Sequence, residues 1–312
     1  MGALVIAGIN GFAGYYTVHA AHKKGHSIIG IGREDSVSPL IANIVDSYIT
    51  CDLSDQNEVN KLDISHADVI INLAGYAKVG VNETDRDEYQ RVNVSVHTNL
   101  AQRMLDTNSS ARMISISSGA VYLPNQAMPL TEDSSVHTAE SANIYAASKL
   151  AMEANLQTFI EKGLDIVIAR PFNHAGPGQQ PGFLIPDLAH KIIASDGSTP
   201  IITGNLLTKR DYTHAEDVAE AYIQLATSHL ISSRIYNICS GRSVEGMQIF
   251  KMLKSALDKP NLKNEIDQSL MRSQDPLDLY GSYDLLKTDT SWQPTKNINQ
   301  IIADFTDWLK TS

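Results

Sequence analysis

Up to Arg170, short apolar runs alternate with longer stretches patterned as helices. Ala3-Leu4-Val5-Ile6-Ala7, Ser27 to Gly32, Tyr48 to Thr50, Val69 to Gly75, Arg112 to Ser117 and Asp165 to Arg170 have the length and apolar continuity of strands covered on both faces. Between them, Ala13 to Lys24 reads as a helix stopped by Gly25. Asp85 to Leu105 carries Val92, Val96, Leu100 and Met104 at helical spacing, with Asn93 on a neighbouring face, and Ile144 to Lys162 is rich in helix-favouring residues. Strand and helix in regular alternation predict an α/β fold, a doubly wound parallel sheet with right-handed crossovers.

After Arg170 the pattern breaks. Pro171 to Gly182 is a long segment rich in Pro and Gly, of the kind that carries function in compact domains. A boundary there assigns residues 1–172 to the sheet domain, with 208–238 returning to it, and leaves 173–312 mainly to a smaller C-terminal substrate-binding lobe. The segments Phe183 to Leu207 and Cys239 to Ser312 form that lobe.

Composition narrows the function classes. Asp and Glu number 35 against 25 Lys and Arg among 312 residues, a formal charge of −10 that repels nucleic acid and anionic membrane surfaces. The two cysteines, Cys51 and Cys239, lie far apart without zinc-type spacing and read as buried thiols of a cytoplasmic protein. His19, His22 and His26 lie near one another but have no carboxylate or thiol cluster beside them, so no metal is expected.

The candidate chemistry sits at the ends of the apolar runs. Gly8-Ile9-Asn10-Gly11-Phe12-Ala13-Gly14 joins the first strand to the first helix, and glycines at 8, 11 and 14 permit a tight turn, close approach to a pyrophosphate and close helix packing. The second strand ends in Gly32-Arg33. No acid stands there to repel a 2′-phosphate and Arg33 suits one, which favours NADP(H) over NAD(H); a surface arginine is the competing reading. Asp52 follows the third strand and is placed to receive an adenine amino group, beside a capping role for Ser54 or Asp55. Leu73-Ala74-Gly75 end a strand in small residues suited to backbone approach by a cofactor, and Ser117-Ser118 end another with hydroxyls. Tyr145 and Lys149, four apart on one helix, set an ammonium one turn from a phenol, an arrangement expected to draw the phenol's pKa down from about 10. Tyr283 and Lys287 repeat the spacing without such company and read as helix surface or packing.

Gly8-x-x-Gly11-x-x-Gly14, Asp52, Ser118, Tyr145-x-x-x-Lys149, Arg170-Pro171-Phe172-Asn173 and Arg210-Asp211-Tyr212, in this order, resemble the extended short-chain dehydrogenase/reductase family, the epimerase/dehydratase type acting on nucleotide sugars. The resemblance implies a Rossmann-type domain, an enzyme and a likeness to family homodimers. It makes Ser118, Tyr145 and Lys149 catalytic: Ser118 binds the sugar C4 oxygen, Tyr145 protonates it, and Lys149 holds the nicotinamide ribose. It adds Phe12, Ala13, Leu53, Asn93 and Pro171 to the cofactor contacts named above, and assigns Asn173, Lys191, Arg210 and Arg272 to the substrate.

Gly119 and Ala120 stand where a dehydratase of the family resembles a site with acids, so dehydration is disfavoured. Gly32-Arg33 favours an exchangeable NADPH, hence reduction of a C4 ketone on a 4-keto-6-deoxy nucleotide sugar. A 4-epimerase with tightly held NAD is the second reading and a non-catalytic NADP sensor the third.

Overall fold

The computed structural model describes residues 3–77, 85–138, 141–270 and 276–311. From the N-terminus run β1 (Ala3–Ala7), α1 (Phe12–Lys23), β2 (Ile28–Gly32), β3 (Ser47–Thr50), the short α2 (Gln56–Val59), β4 (Ala67–Asn72), α3 (Arg86–Gln90), α4 (Val96–Asp106), β5 (Arg112–Ile116), α5 (Ile144–Glu161), β6 (Ile166–Pro171) and β7 (Asn173–Ala175). There follow α6 (Leu184–Ala194), β8 (Ile201–Thr203), β9 (Lys209–His214), α7 (Ala215–Thr227), β10 (Ile235–Ile238), β11 (Ser243–Glu245), α8 (Gly246–Ala256), β12 (Asn264–Ile266), β13 (Asp278–Leu279), α9 (Asp284–Thr290) and α10 (Ile298–Thr311).

The main sheet has seven parallel strands in the order β10-β6-β5-β4-β1-β2-β3. Period-two alternation divides its side chains between two cores. Val5, Ile70, Met113, Ile166 and Ile168 face one core with Leu100 and Met104 of α4 and Met152, Leu156 and Phe159 of α5. Leu4, Ile6, Ile71, Ile114, Val167 and Ala169 face the other with Val18 of α1, Val218 and Leu225 of α7 and Trp292. Each fully buried aliphatic side chain contributes roughly 1.5–3 kcal/mol, so the expected doubly wound, Rossmann-type sheet is held from both faces.

The chain moves outward from β1 through β2 to β3, then returns to lay β4 on the other side of β1. That reversal leaves a crevice at the carboxyl ends of β1 and β4, where open α/β sheets bind ligands.

The region 208–238 divides, rather than returning whole to the main sheet. α7 packs on that sheet and β10 is its edge strand, but β9 pairs with β7, β11 and β13 in a second sheet. The reason lies in Asp211 and Tyr212: their ladder partners are Ser243 on β11 and Asn173 on β7, all from the far side of the boundary. A third core gathers Ile185, Leu188, Ile249, Phe250, Leu253, Ile301 and Phe305 from α6, α8 and α10. The long segment after Arg170 contains β7 and leads into α6. Tyr283 caps α9 and packs edge-on against Trp292 at 5.7 Å, as its packing reading expected.

Helix α1 ends as Gly25 predicts: φ is +76°, the Gly25 N–H donates to His22 O at 2.9 Å and the His26 N–H to Ala21 O at 3.2 Å. Gly14 answers to a different constraint, because a Cβ there would stand 2.1 Å from the Ile9 carbonyl oxygen. Gly14→Ala is therefore expected to cost about 2–4 kcal/mol of stability. Gly25→Ala, strained but unobstructed, should cost about 1 kcal/mol. Urea midpoints check the contrast, and equal losses would refute it.

Candidate active site

Gly8 turns the chain after β1 with φ +74°, and a Cβ there would meet Ala74 N at 2.8 Å, so the turns after β1 and β4 pass in close contact. Gly11 caps α1. Among the described residues no side chain bonds its first-turn N–H groups, and no acid lies in that turn, leaving the positive helix end open to an anion. Gly8, Gly11, Phe12, Ala13 and Gly14, expected from the sequence to meet a dinucleotide diphosphate, make up this turn and the start of the helix. The Phe12 ring lies parallel to that of His174 at 6.1 Å, linking this turn to β7.

At the end of β2, Arg33 is exposed. Sequence reasoning passed over its neighbours: Asn10 donates to Glu34 Oε2 at 3.0 Å and to Ser36 O at 3.1 Å, and accepts from Ser38 N at 2.8 Å. Glu34 thus stands beside Arg33, held below the usual carboxylate range chiefly by its backbone hydrogen bond, with Asn10 and Arg33 adding to it. Asp52 accepts from Ser54 N and Oγ at 2.9 and 2.7 Å and lies 3.5 Å from Arg91. Burial pushes its pKa up, but these partners hold it low. Asp55, not Ser54, caps α2. Leu53 and Pro171 are buried, and Leu73, Ala74 and Gly75 border the crevice after β4.

Asn93 lies in a widened π turn, Arg91–Ser95, between α3 and α4, a geometry found often at functional sites. Fully buried, it accepts from Tyr76 N at 2.7 Å and donates to Tyr76 O and Ser148 Oγ, each at 3.0 Å. It ties the turn after β4 to α5, one residue from Lys149.

Helix α5 starts where Asn143 accepts from Ala146 N at 2.9 Å. From its first turns, Tyr145 is half-buried and Lys149 only 4% exposed. Lys149 Nζ donates to Ile116 O at 2.8 Å and lies 3.4 Å from the position of a Cβ on Gly75. Ser118 accepts from Ala120 N at 3.1 Å, with its side chain also in hydrogen-bonding range of the phenol. Ser118, Tyr145, Lys149, Asn93 and Gly75 therefore converge.

The expected drop in the phenol's pKa is not what the structure shows. Burial pushes Tyr145 up, Ser118 alone draws it back, and the Lys149 ammonium points to the Ile116 carbonyl instead. Burial also lowers Lys149 to about 8 against the pull of Glu153. His97, fully buried with Nδ1 3.1 Å from Ser115 Oγ, is driven well below its usual range by burial and by the Lys149 charge.

Of the expected substrate contacts, β7 and β9 bring two together. Asn173 pairs with Tyr212, two residues from Arg210 on the same strand, and Arg210 Nη1 donates to Pro276 O at 2.7 Å. Lys191 is bonded to Ile202 O at 2.9 Å on β8, which pairs with β12 rather than with β7 or β9. Arg272 lies outside the described residues. Next to Arg210, Asp211 is 1% exposed and accepts from Ser240 N and Oγ, Gly241 N and Gly281 N at 2.7, 2.6, 3.0 and 3.4 Å.

Cys51 and Cys239 are buried and free. No helix among the described residues is long and apolar enough to cross a membrane.

Residues 4–239 match the model of the NAD dependent epimerase/dehydratase family, and the chain belongs to that family. It is an NAD(P)-dependent enzyme acting on nucleotide sugars. It is 32% identical to the GDP-6-deoxy-D-mannose reductase of Pseudomonas aeruginosa over 77% of this chain and 80% of that one. It is 25% identical to the UDP-glucose 4-epimerase of Yersinia enterocolitica over 99% and 97%. The structure of RMD from Pseudomonas aeruginosa complexed with NADPH superposes with a TM-score of 0.82 at 27% identity, covering all of both chains.

Burial pushes the Asp211 carboxyl up to about 6, against the hydrogen bonds it accepts. The native state then holds this proton more tightly than the unfolded chain between about pH 4 and 6. Its contribution to stability accordingly falls as pH rises through that window, by about 1–3 kcal/mol. Chemical denaturation of wild type and Asp211→Asn at several pH values should show the flatter profile in the variant; parallel profiles would refute the assignment.

Proposed function

We propose that this enzyme reduces the C4 ketone of a 4-keto-6-deoxy nucleotide sugar with NADPH, and specifically GDP-4-keto-6-deoxy-D-mannose to GDP-D-rhamnose. The observation that carries the reading is the convergence of Ser118, Tyr145 and Lys149 beside two residues that cannot supply an acid. A side chain at Gly119 would press on the Phe172 ring at 3.0 Å, and Ala120 carries only a methyl. Neither position carries the carboxylate a dehydratase would use, which supports reduction.

The bound nicotinamide supplies the hydride. Everything else falls to this chain's side chains. Ser118 orients the C4 oxygen by hydrogen bonding, and Tyr145 gives that oxygen a proton. A phenol held above its ordinary pKa is protonated at neutral pH, which suits a donor in the reducing direction and contributes roughly 10²–10⁴ in rate. Lys149 holds the cofactor ribose while its ammonium stays bonded to the Ile116 carbonyl.

Asn173, Arg210 and Arg272 meet the nucleotide diphosphate and ribose; a guanidinium pairs well with phosphate oxygens. Lys191 is a fourth contact that must leave Ile202 to take part. Arg33 favours NADPH, whereas Glu34 beside it is the acid that an NAD site would use, so the cofactor preference rests on which of the two meets the ribose. The relative 32% identical to this chain supports GDP-linked reduction, and the NADPH of the RMD complex supports the cofactor. The reading includes a cytoplasmic homodimer.

The likeness to a UDP-glucose 4-epimerase over 99% of the chain gives the second reading, a 4-epimerase with tightly held NAD. Incubation with NADPH and GDP-4-keto-6-deoxy-D-mannose separates them. Stoichiometric loss of nicotinamide absorbance is expected; no loss there, with UDP-glucose converted to its C4 epimer in a parallel incubation, would establish the epimerase instead, because a C4 ketone has no C4 configuration to invert. Tyr145→Phe should lower kcat at least 10²-fold with NADPH affinity nearly unchanged, and a fully active variant would remove Tyr145 from its role.

A further inference from the structure

A chain of buried polar groups runs beneath the candidate site from α5 to the edge strand β10. Glu153, one turn beyond Lys149 and 8% exposed, accepts hydrogen bonds from the Ser117 hydroxyl and from Arg170 Nε and Nη2, the last two at 3.0 and 2.6 Å. Arg170 Nη1 donates to the Tyr122 hydroxyl at 3.0 Å, which donates to Asn237 Oδ1 at 2.7 Å. Its guanidinium also lies 4.9 Å from the Tyr122 ring centroid. Ser117, Tyr122, Arg170 and Asn237 are each at most 4% exposed. An ion pair buried this deeply rarely stabilises a fold more than packed apolar groups of the same volume, so its role is to be sought elsewhere.

The placement supplies one. Lys149 grips the Ile116 carbonyl and Glu153 grips the next residue, Ser117, so ammonium and carboxylate hold consecutive residues at the end of β5, immediately before Ser118. We propose that Glu153 is a positioning residue: it clamps the Ser117-Ser118 end of β5 to α5 and sets its carboxylate one turn from the Lys149 ammonium. This rests on the cofactor half of the proposed function, in which Lys149 holds the ribose.

The charged and titratable groups facing Lys149 are few among the described residues. Glu153 shares its helix and is itself paired with Arg170 of β6, His97 faces it from α4 in neutral form, and β5 presents the Ile116 carbonyl. Burial lowers Lys149 to about 8, and Glu153 is the influence opposing that fall. Loss of the carboxylate therefore moves the ammonium's titration to lower pH.

The experiment is a fluorescence titration of the full chain with NADPH, and in parallel with NADH, from pH 6 to about 9.5, the span over which a lowered lysine titrates. Wild type should lose affinity as pH rises past about 8. In Glu153→Gln the midpoint should fall by on the order of one pH unit, and Glu153→Asp, which keeps the charge, should return toward wild type. Because Glu153→Gln leaves Arg170 buried against a neutral amide, the double variant Glu153→Met/Arg170→Met is measured beside it; its fold should survive, with Tm near wild type, and its midpoint should stay low. Midpoints that coincide across these proteins overturn the proposal, as does a double variant with both Tm and midpoint of wild type. A wild type that shows the shifts but does not oxidise NADPH with the 4-keto sugar ends the substrate reading and leaves this one standing. Normal turnover with coincident midpoints ends this one alone, and failure to bind either nucleotide ends both.

Discussion

The candidate site hangs from the contact between two backbone turns. Where the turn after β1 passes the turn after β4, Gly8 comes so close to Ala74 that no side chain fits between them. That approach is the physical form of the sheet's change of direction: strands laid down on either side of β1 must both deliver their carboxyl ends to the same crevice. A bulkier residue at Gly8 would push apart the very edges that the dinucleotide cradle, Gly75 and Lys149 share.

From that contact the chemistry is assembled inward by buried polar bonds more than by surface charge. Asn93 locks the turn after β4 to α5, Lys149 and Glu153 lock α5 to β5, and Asp211 gathers the turns at Ser240-Gly241 and Gly281 beside β9. Groups bonded in this way lose little freedom when a substrate arrives, which favours a preorganised site. The phenol illustrates the balance of effects. A single neighbouring ammonium favours phenolate, yet a protein surround disfavours any charge, and here burial outweighs the Ser118 hydrogen bond. The outcome is a phenol that keeps its proton at neutral pH, in keeping with the proposed reduction.

Much of this was legible in the chain itself. Continuous apolar runs locate the strands of the main sheet and period-3.6 patterning the helices, because burial on both sheet faces demands the first and one packed face the second. The glycine spacing marks the turn and the open helix end, because only residues without Cβ permit that backbone path. Tyr145 and Lys149 share a helix face by spacing alone. The partners of β9 were not legible, since a short strand of mixed polarity carries no mark of which sheet will take it. Neither was Glu34 as a rival to Arg33, for its position depends on the Asn10 side chain reaching across from another turn.

Local periodicity and backbone sterics, which act over a few residues, were enough to set the elements up to Arg170, their parallel arrangement and the carboxyl edge where chemistry gathers. The direction of the phenol's pKa, the assignment of β9 to a second sheet and the Glu153–Arg170 link depended on residues tens of positions apart meeting in a dry interior. Solvation and long-range packing belong to the folded arrangement as a whole, and no stretch of sequence carries them by itself.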